Sequence, residues 1–314
     1  MSGNKFRVLI TGGTGNLGTW ITRHLQARGY HVTGLASRPR WNACDEFIIC
    51  DIRDETDIKK KLSPLRFDFV IHLAALTDTK LEGYAKQAHD VYVRGTKHLL
   101  QALDRGSLRN FIYFSTFHVY GSLSGEIDEK TPVAPKSDYA VTHELAEQEI
   151  RRHRKADRLP YTIFRLTNGY GAPLSIESAD WNLLFNDLAR SAFEKNEIRL
   201  STNGRPLRDF IWIGDVCAVV EKLLDQKEAP SDTFNLSCGQ SSRLLNVAIE
   251  VQRAYKEMYG REITIQVNEK DQTHYPLELI VQSDKLKRLL PYETGFHFFD
   301  EAGKIFQLLE TDRS

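Results

Sequence analysis

Neither sign of charge is in excess in this chain. Lys and Arg together number 42, as do Asp and Glu, so the formal net charge is zero over 314 residues. With no global field, nothing draws the protein onto nucleic acid or an anionic membrane, and any anionic ligand has to be held by a local site. Cysteine is scarce. Cys44, Cys50, Cys217 and Cys238 lie far apart and form no CxxC pair, which argues against a disulfide framework or a zinc site. They read as reduced thiols in a cytosol, and no metal is expected. No apolar run approaches the roughly 20 residues of a membrane helix. The first residues show no basic start followed by an apolar stretch, so no targeting peptide is expected. A cytoplasmic protein with neither a nucleic-acid nor a membrane partner follows. Internal repeats and low-complexity tracts are also lacking. The charged run Arg151-Arg152-His153-Arg154-Lys155 reads as a solvated helix end rather than a nucleic-acid patch.

What is present is an ordinary globular composition, 41% hydrophobic and 27% charged, with ample material for a core. Apolar runs of strand length alternate with segments of helical period through the first half, the pattern of βαβ units and a parallel sheet covered on both faces. Strands are expected over 6–11, 31–36, 47–50, 69–72, 110–115 and 161–166. Helices are expected over 16–28, 55–62, 83–104 and 138–156. After Gly169-Tyr170-Gly171-Ala172-Pro173 the alternation fades into shorter elements. The fold class is therefore α/β, a doubly wound parallel sheet over 1–172 that takes in some later segments. A smaller α/β lobe for substrate, interleaved with the first, is expected over 173–314.

Val8-Leu9-Ile10 runs directly into Thr11-Gly12-Gly13-Thr14-Gly15-Asn16-Leu17-Gly18 and then a helix. Glycines at 12, 15 and 18 suit a tight turn, a close backbone approach to a pyrophosphate and close packing of helix on strand. The helix start adds free N–H groups and a partial positive charge. This reads as a dinucleotide site. The GxxGxxG spacing resembles that of the extended short-chain dehydrogenases/reductases, the Rossmann-fold NAD-dependent epimerase/dehydratase family that modifies nucleotide sugars. The resemblance continues through Cys50-Asp51-Ile52-Arg53-Asp54, His72-Leu73-Ala74-Ala75 and Phe114-Ser115-Thr116 with Val119-Tyr120-Gly121. It then runs on through Tyr139, Arg165-Leu166-Thr167-Asn168-Gly169-Tyr170-Gly171 and Arg208-Asp209-Phe210-Ile211 with Asp215. These pieces span nearly the whole chain in the family's order.

For the cofactor, the resemblance implies contacts from Gly12, Gly15, Asn16, Leu17 and Gly18, from Asp51 and Ile52, from Leu73, Ala74 and Ala75, and from Tyr139 and His143. Where a carboxylate would favour a ribose diol, the second strand ends Leu35-Ala36-Ser37-Arg38. A hydroxyl and a guanidinium suit a 2′-phosphate, so NADP is expected, with NAD as the alternative if Arg38 stands in solvent. Asp51 is expected at the adenine amino group by similarity, or else as a helix N-cap.

The resemblance makes Tyr139 the acid/base at the sugar oxygen and Thr116 its hydroxyl partner. Thr116 or Ser115 can instead be a buried strand hydroxyl. Family members lower the phenol's pKa with a lysine four residues on, where this chain has His143; its partial charge predicts weaker activity or a lower pH optimum. Tyr92 also departs from the pattern, standing where relatives carry asparagine, so the local helix or its hydrogen bonds are expected to differ. The 4,6-dehydratases place an Asp-Glu pair after the catalytic hydroxyl, but here the pair is Phe117 and His118. Dehydration and Glu-dependent decarboxylation lose support, leaving 4-epimerisation, keto-sugar reduction or alcohol oxidation. His118 is either a further acid/base or a packing residue. Strand ends gather Thr77, Asp78, Thr116, Phe117 and Asn168 at one cleft. By similarity Asn182, Arg208 and Asn235 hold a nucleotide diphosphate, unless Arg208 pairs internally with Asp209. The expected function is an NAD(P)-dependent nucleotide-sugar epimerase or oxidoreductase, the alternative a cofactor-binding regulator that has lost catalysis. Helices 83–104 and 138–156 resemble the family's dimer-forming elements, so a homodimer is expected.

Overall fold

The computed structural model describes residues 6–38, 43–76, 81–228 and 230–313. Seven strands form one sheet in the order Asp232–Leu236, Tyr161–Leu166, Asn110–Thr116, Phe69–His72, Arg7–Thr11, His31–Ala36 and Glu46–Ile49. Every pairing in it is parallel. Burial on both faces explains why these strands read as continuous apolar runs rather than alternating ones. Val8 and Ile10 join Ile71, Ile112 and Phe164 on one face, covered by Ile21 and Leu25 of one helix and Val216 and Val220 of another. Leu9 turns to the opposite face, where Val70, Phe111 and Ile163 meet Ile58, Leu99 and Ile150. The fold is a doubly wound Rossmann sheet.

The strand from Asp232 to Leu236 was not expected from the sequence. It lies more than sixty residues beyond its neighbour Tyr161–Leu166, yet completes that edge of the sheet. Phe210, Tyr170, Phe185, Val247, Val251, Phe298 and Phe306 form a further core, associated with small sheets of two and three strands. Helix 83–104 is also broken up: Tyr84–Ala88 and Gly95–Ala102 flank a π-helical turn at His89–Arg94. Tyr92 lies in that turn, and its hydroxyl is bonded to the backbone N–H and C=O of Leu76. The basic run at 151–155 forms the last turns of Asp138–Asp157, where Arg152 pairs with Glu149 and His153 with Asp157. No helix among the described residues is long and apolar enough to cross a membrane.

Helix Asp138–Asp157 carries the residues facing the sheet. Ser137 caps its start, accepting from the Ala140 N–H at 3.3 Å, and sets Tyr139 in the first turn. Two turns on, the fully buried Glu147 carboxylate accepts from Ser115 Oγ at 2.6 Å, Arg165 Nη2 at 2.8 Å and Arg151 Nη2 at 2.6 Å. Burial pushes this carboxyl's pKa up, but Arg165, Arg151 and Ser115 outweigh it and hold the group below its ordinary value. Removing one partner of such a network leaves the other charge buried and unpaired. Glu147→Ala is expected to cost about 3–5 kcal/mol of folding stability by that argument. Urea unfolding would measure it, and a loss below about 1 kcal/mol would show that Arg165 reaches solvent instead.

Candidate active site

The strand order reverses between Arg7–Thr11 and Phe69–His72, and ligands of such sheets bind at the carboxyl ends beside that reversal. There Thr11 Oγ1 lies 2.6 Å from His72 Nδ1 and accepts from the N–H groups of Leu73 and Ala74. Gly12 follows with φ +71°, and a Cβ on it would stand 2.8 Å from the Leu73 carbonyl. A Cβ on Gly18 would lie 2.4 Å from the Gly12 oxygen. Both positions therefore need glycine, one for the bend and one for the helix packed on it. Helix Asn16–Gln26 begins with no side chain capping its N-terminus and no acidic residue in its first turn. Its first N–H groups and its dipole are open to an anion.

A cavity of about 660 Å³ opens here, of ordinary size for a small-molecule site. Gly12, Gly15, Asn16, Leu17, Gly18, Leu73 and Ala75 line one part; Thr116, Phe117, His118, Tyr139, His143, Asn168 and Asn182 are among those lining the rest. Two of these side chains end in buried atoms without a hydrogen-bond partner among the described residues, Asn16 Oδ1 and His143 Nε2. Buried polar atoms of that kind are costly unless something bonds to them, so the cradle and the orphaned atoms suit a polar, anionic ligand such as a dinucleotide.

Other expected residues lie elsewhere. Ser37 and Arg38 are exposed just beyond the second strand. Asp51 is gripped by Arg53, with Nη2 to Oδ2 at 2.6 Å, and the N-cap of the next helix is Asp54. The reading of Asp51 as an N-cap is thereby corrected. Ile52 is buried, its side chain where any Cβ on Gly95 would fall, and its carbonyl is 3.1 Å from His98 Nδ1. Asn235 does not face the cavity: it is fully buried, its amide accepting from Tyr120 Oη and donating to the Gln282 carbonyl. A direct diphosphate contact from Asn235 is corrected on that ground. Arg208 and Asp209 turn apart. Asp209 binds Thr167 Oγ1 and the N–H groups of Cys238 and Gly239, while Arg208 bears on the His118 imidazole. Thr77 and Asp78 lie outside the described residues. The sequence reading missed the run from Ser178 to Phe185, which lines the cavity around Asn182 and has no periodic pattern to mark it.

Tyr139 sits among neutral rings. Its centroid is 4.6 Å from that of His143, 6.1 Å from Tyr92 and 6.2 Å from His118. Burial raises the phenol to about 12, against a lowering contribution from the Thr116 hydroxyl. His143 Nδ1 is 2.8 Å from Tyr113 Oη, and its ring is 4.5 Å from Tyr92. Burial drops this imidazole to about 3, so it carries no charge at neutral pH. The expected partial charge is corrected accordingly. The two departures from the family pattern, Tyr92 and His143, are in contact with each other.

The NAD dependent epimerase/dehydratase family model matches residues 8–237, well over half of the chain. The chain belongs to that family. It is 28% identical over 291 residues to dTDP-L-rhamnose 4-epimerase of Burkholderia thailandensis, covering 77% of this chain and 79% of that protein. It is 25% identical over 314 residues to dTDP-D-glucose 4,6-dehydratase of Mus musculus, covering 92% and 86%. Among solved structures, UDP-glucuronic acid 4-epimerase from Bacillus cereus, in complex with UDP-glucuronic acid and NAD, matches with a TM-score of 0.79 at 23% identity. That match covers 97% of this chain and 99% of the other. Family relatives thus include epimerases and dehydratases, and the family alone does not divide the two reactions.

The buried histidines make stability depend on pH. His72 and His143 both titrate near 3 when folded, against 6.5 ordinarily. Between those values the unfolded chain binds the extra protons, so stability present at neutral pH is lost as pH falls from 6.5 toward 3. Each group contributes about 1.4 kcal/mol per pH unit in that window. Urea midpoints between pH 7 and 4 should fall accordingly, and His143→Gln should remove about one proton from the slope. An unchanged slope in the variant would mean that His143 titrates normally.

Proposed function

We propose that the protein is an NAD(P)-dependent nucleotide-sugar epimerase or oxidoreductase, with hydride transfer at a sugar carbon, C4. One observation carries this reading: the uncapped glycine-turn helix and the Tyr139–Thr116 pair open into a single cavity. In it, the backbone of Gly12 to Gly18 would hold the pyrophosphate, and His143 Nε2, which lacks a partner among the described residues, would be free to bond a ribose hydroxyl. When bound, the dinucleotide supplies the hydride acceptor or donor. The chain's own residues orient the sugar and move its proton. Tyr139 Oη exchanges a proton with the sugar oxygen, Thr116 Oγ1 shares that hydrogen bond, and Phe117 keeps water from the same wall. Asn168, Asn182 and His118 meet the sugar, and Arg208 the diphosphate. The 173–314 segment serves as the substrate lobe.

Phe117 and His118 in place of an Asp-Glu pair tell against 4,6-dehydration. NADP is the proposed cofactor, on exposed Ser37 and Arg38 and the uncharged Ala36, with NAD as the alternative that the Bacillus cereus complex supports. The assembly we propose is a cytoplasmic homodimer joined through helix Asp138–Asp157 and the segment Tyr84–Ala102, and a monomeric mass at micromolar concentration would count against it. A regulator without catalysis is less favoured, since the phenol and hydroxyl of a working site are both in the cavity.

Purified protein incubated with dinucleotide and UDP-, GDP-, dTDP- and CDP-sugars is expected, with at least one of them, either to change the nicotinamide absorbance or to yield a second, epimeric nucleotide sugar on separation of the products. Tyr139→Phe should lower that turnover roughly 10²–10⁴-fold while leaving dinucleotide affinity within a few-fold. Binding without any turnover would favour the regulator. Arg38→Ala should weaken NADP roughly tenfold and NAD hardly at all, as measured by calorimetry. Equal losses for both would move the preference to NAD.

A further inference from the structure

We propose that Asn16 and Trp20 couple the two ligands. A dinucleotide at the glycine turn fixes the segment that presents Asn168 and Arg208, so the nucleotide sugar binds the dinucleotide-loaded protein more tightly than the free one. This rests on the nucleotide-sugar reading and adds how its two halves communicate. Asn16 and Trp20 stand four residues apart in the first turns of helix Asn16–Gln26 and so share one face. That face grips the backbone at 171–172. Asn16 Nδ2 donates to the Gly171 carbonyl at 3.4 Å, and Trp20 Nε1 to the Ala172 carbonyl at 2.8 Å. On the Ala172 N–H, Oε2 of the fully buried Glu301, in helix Phe298–Arg313, accepts at 2.7 Å. The residues held in this way directly follow strand Asn168–Tyr170, which pairs in parallel with Leu207–Trp212. Asn168 and Arg208 belong to those two strands, and Trp212 packs edge-on against Trp20 with ring centroids 6.0 Å apart.

The Asn16 amide makes the grip sensitive to a ligand. A carbonyl accepts from one end of it, so the nitrogen has to point there and the oxygen is the end left over. That Oδ1 is buried with no hydrogen-bond partner among the described residues, on a side chain whose residue lines the cavity. As an acceptor it needs an O–H or N–H, which a ribose or a carboxamide carries and an ionised phosphate does not. Until such a donor arrives the amide is half satisfied, and orientations that serve its oxygen compete with the one that serves Gly171. The 3.4 Å contact, longer than an ordinary N–H···O bond, fits a grip not yet closed. A ligand hydroxyl on Oδ1 ends that competition and sets Nδ2 on the Gly171 carbonyl. The first ligand then orders residues 171–172, and the second meets them already ordered. By linkage the substrate tightens the dinucleotide by the same factor.

Calorimetry on the full chain tests the coupling, with NADP or NAD as one ligand and UDP, GDP, dTDP and CDP as probes of the substrate's nucleotide. Saturating dinucleotide is expected to tighten at least one diphosphate about fivefold or more, and that diphosphate to tighten the dinucleotide equally. Trp20 is not among the residues lining the cavity, so Trp20→Phe keeps a ring, loses the donor and touches neither ligand. It should leave dinucleotide affinity alone within about twofold while cutting the coupling factor below about twofold, a change that damage to the fold in general would not single out. Asn16→Leu should weaken the dinucleotide several-fold and abolish the coupling; Trp20→Phe remains decisive if that variant does not fold. Independent binding of the two ligands to the natural protein, or full coupling in Trp20→Phe, overturns the proposal. If no diphosphate binds, the nucleotide-sugar reading fails, and hydrogen exchange still reports on the grip. The Ala172 amide, bonded to Glu301, should exchange more slowly in the natural protein once dinucleotide is bound, and the slowing should be smaller in Trp20→Phe. Equal slowing in both overturns the grip itself.

Discussion

The site depends on one close approach, that of the Gly12 backbone to the Leu73 carbonyl where neighbouring strands part company. No side chain fits between them, and Thr11 Oγ1 holds the join by accepting from the first two N–H groups beyond the strand. The approach brings the glycine bend, the start of a helix and the end of a second strand into one wall. Because that helix start lacks any capping side chain, its N–H groups are left to whatever occupies the cavity. A chain with no net charge can hold an anion only by such local concentration of donors.

The opposite wall is positioned by a match of two periodicities. Alternate strand residues Tyr113 and Ser115 stand about 6.6 Å apart along one face, and helix residues four apart, His143 and Glu147, about 6 Å. The two ladders meet rung to rung, Tyr113 with His143 and Ser115 with Glu147. Arg165 on the next strand locks the lower rung through Glu147 and stacks over Tyr120 at 4.8 Å. Tyr120 in turn donates to Asn235. Residues that the motif places near a substrate thus serve two ends: some reach the cavity, and others hold in place those that do.

Much of the sheet could be read in advance because its strands are buried on both faces and separated by segments of clear helical period. Tyr161–Leu166, His31–Ala36 and Phe69–His72 are apolar runs that need no tertiary context to be recognised. Asp232–Leu236 escaped notice because it is mixed in polarity and completed by a partner far away in sequence. The glycine bend was legible by its spacing after a strand, and the Tyr139–Thr116 pair through the family resemblance. The Ser178–Phe185 wall was not, since most of it is a loop positioned by packing ahead of helix Leu184–Lys195 and leaves no period in the sequence. Charge was the hardest property to anticipate. A histidine four residues after the phenol suggests partial charge, and only the depth of its burial against Tyr92 and Tyr113 removes it.

That burial bears on whether the departures from the family pattern amount to decay. Tyr92 and His143 stand where the resemblance implies a small amide and a long ammonium, and the two rings lie 4.5 Å apart. An ammonium placed there would be buried against Tyr92 and Tyr113, with Glu147 already satisfied by Arg165 and Arg151. Desolvating such a charge without a carboxylate costs several kcal/mol, whereas a neutral imidazole fits among the rings and keeps one hydrogen bond. Either substitution made alone would leave a gap or an unpaired charge. Together the two rings form a packed neutral floor under Tyr139, which lines the cavity above them.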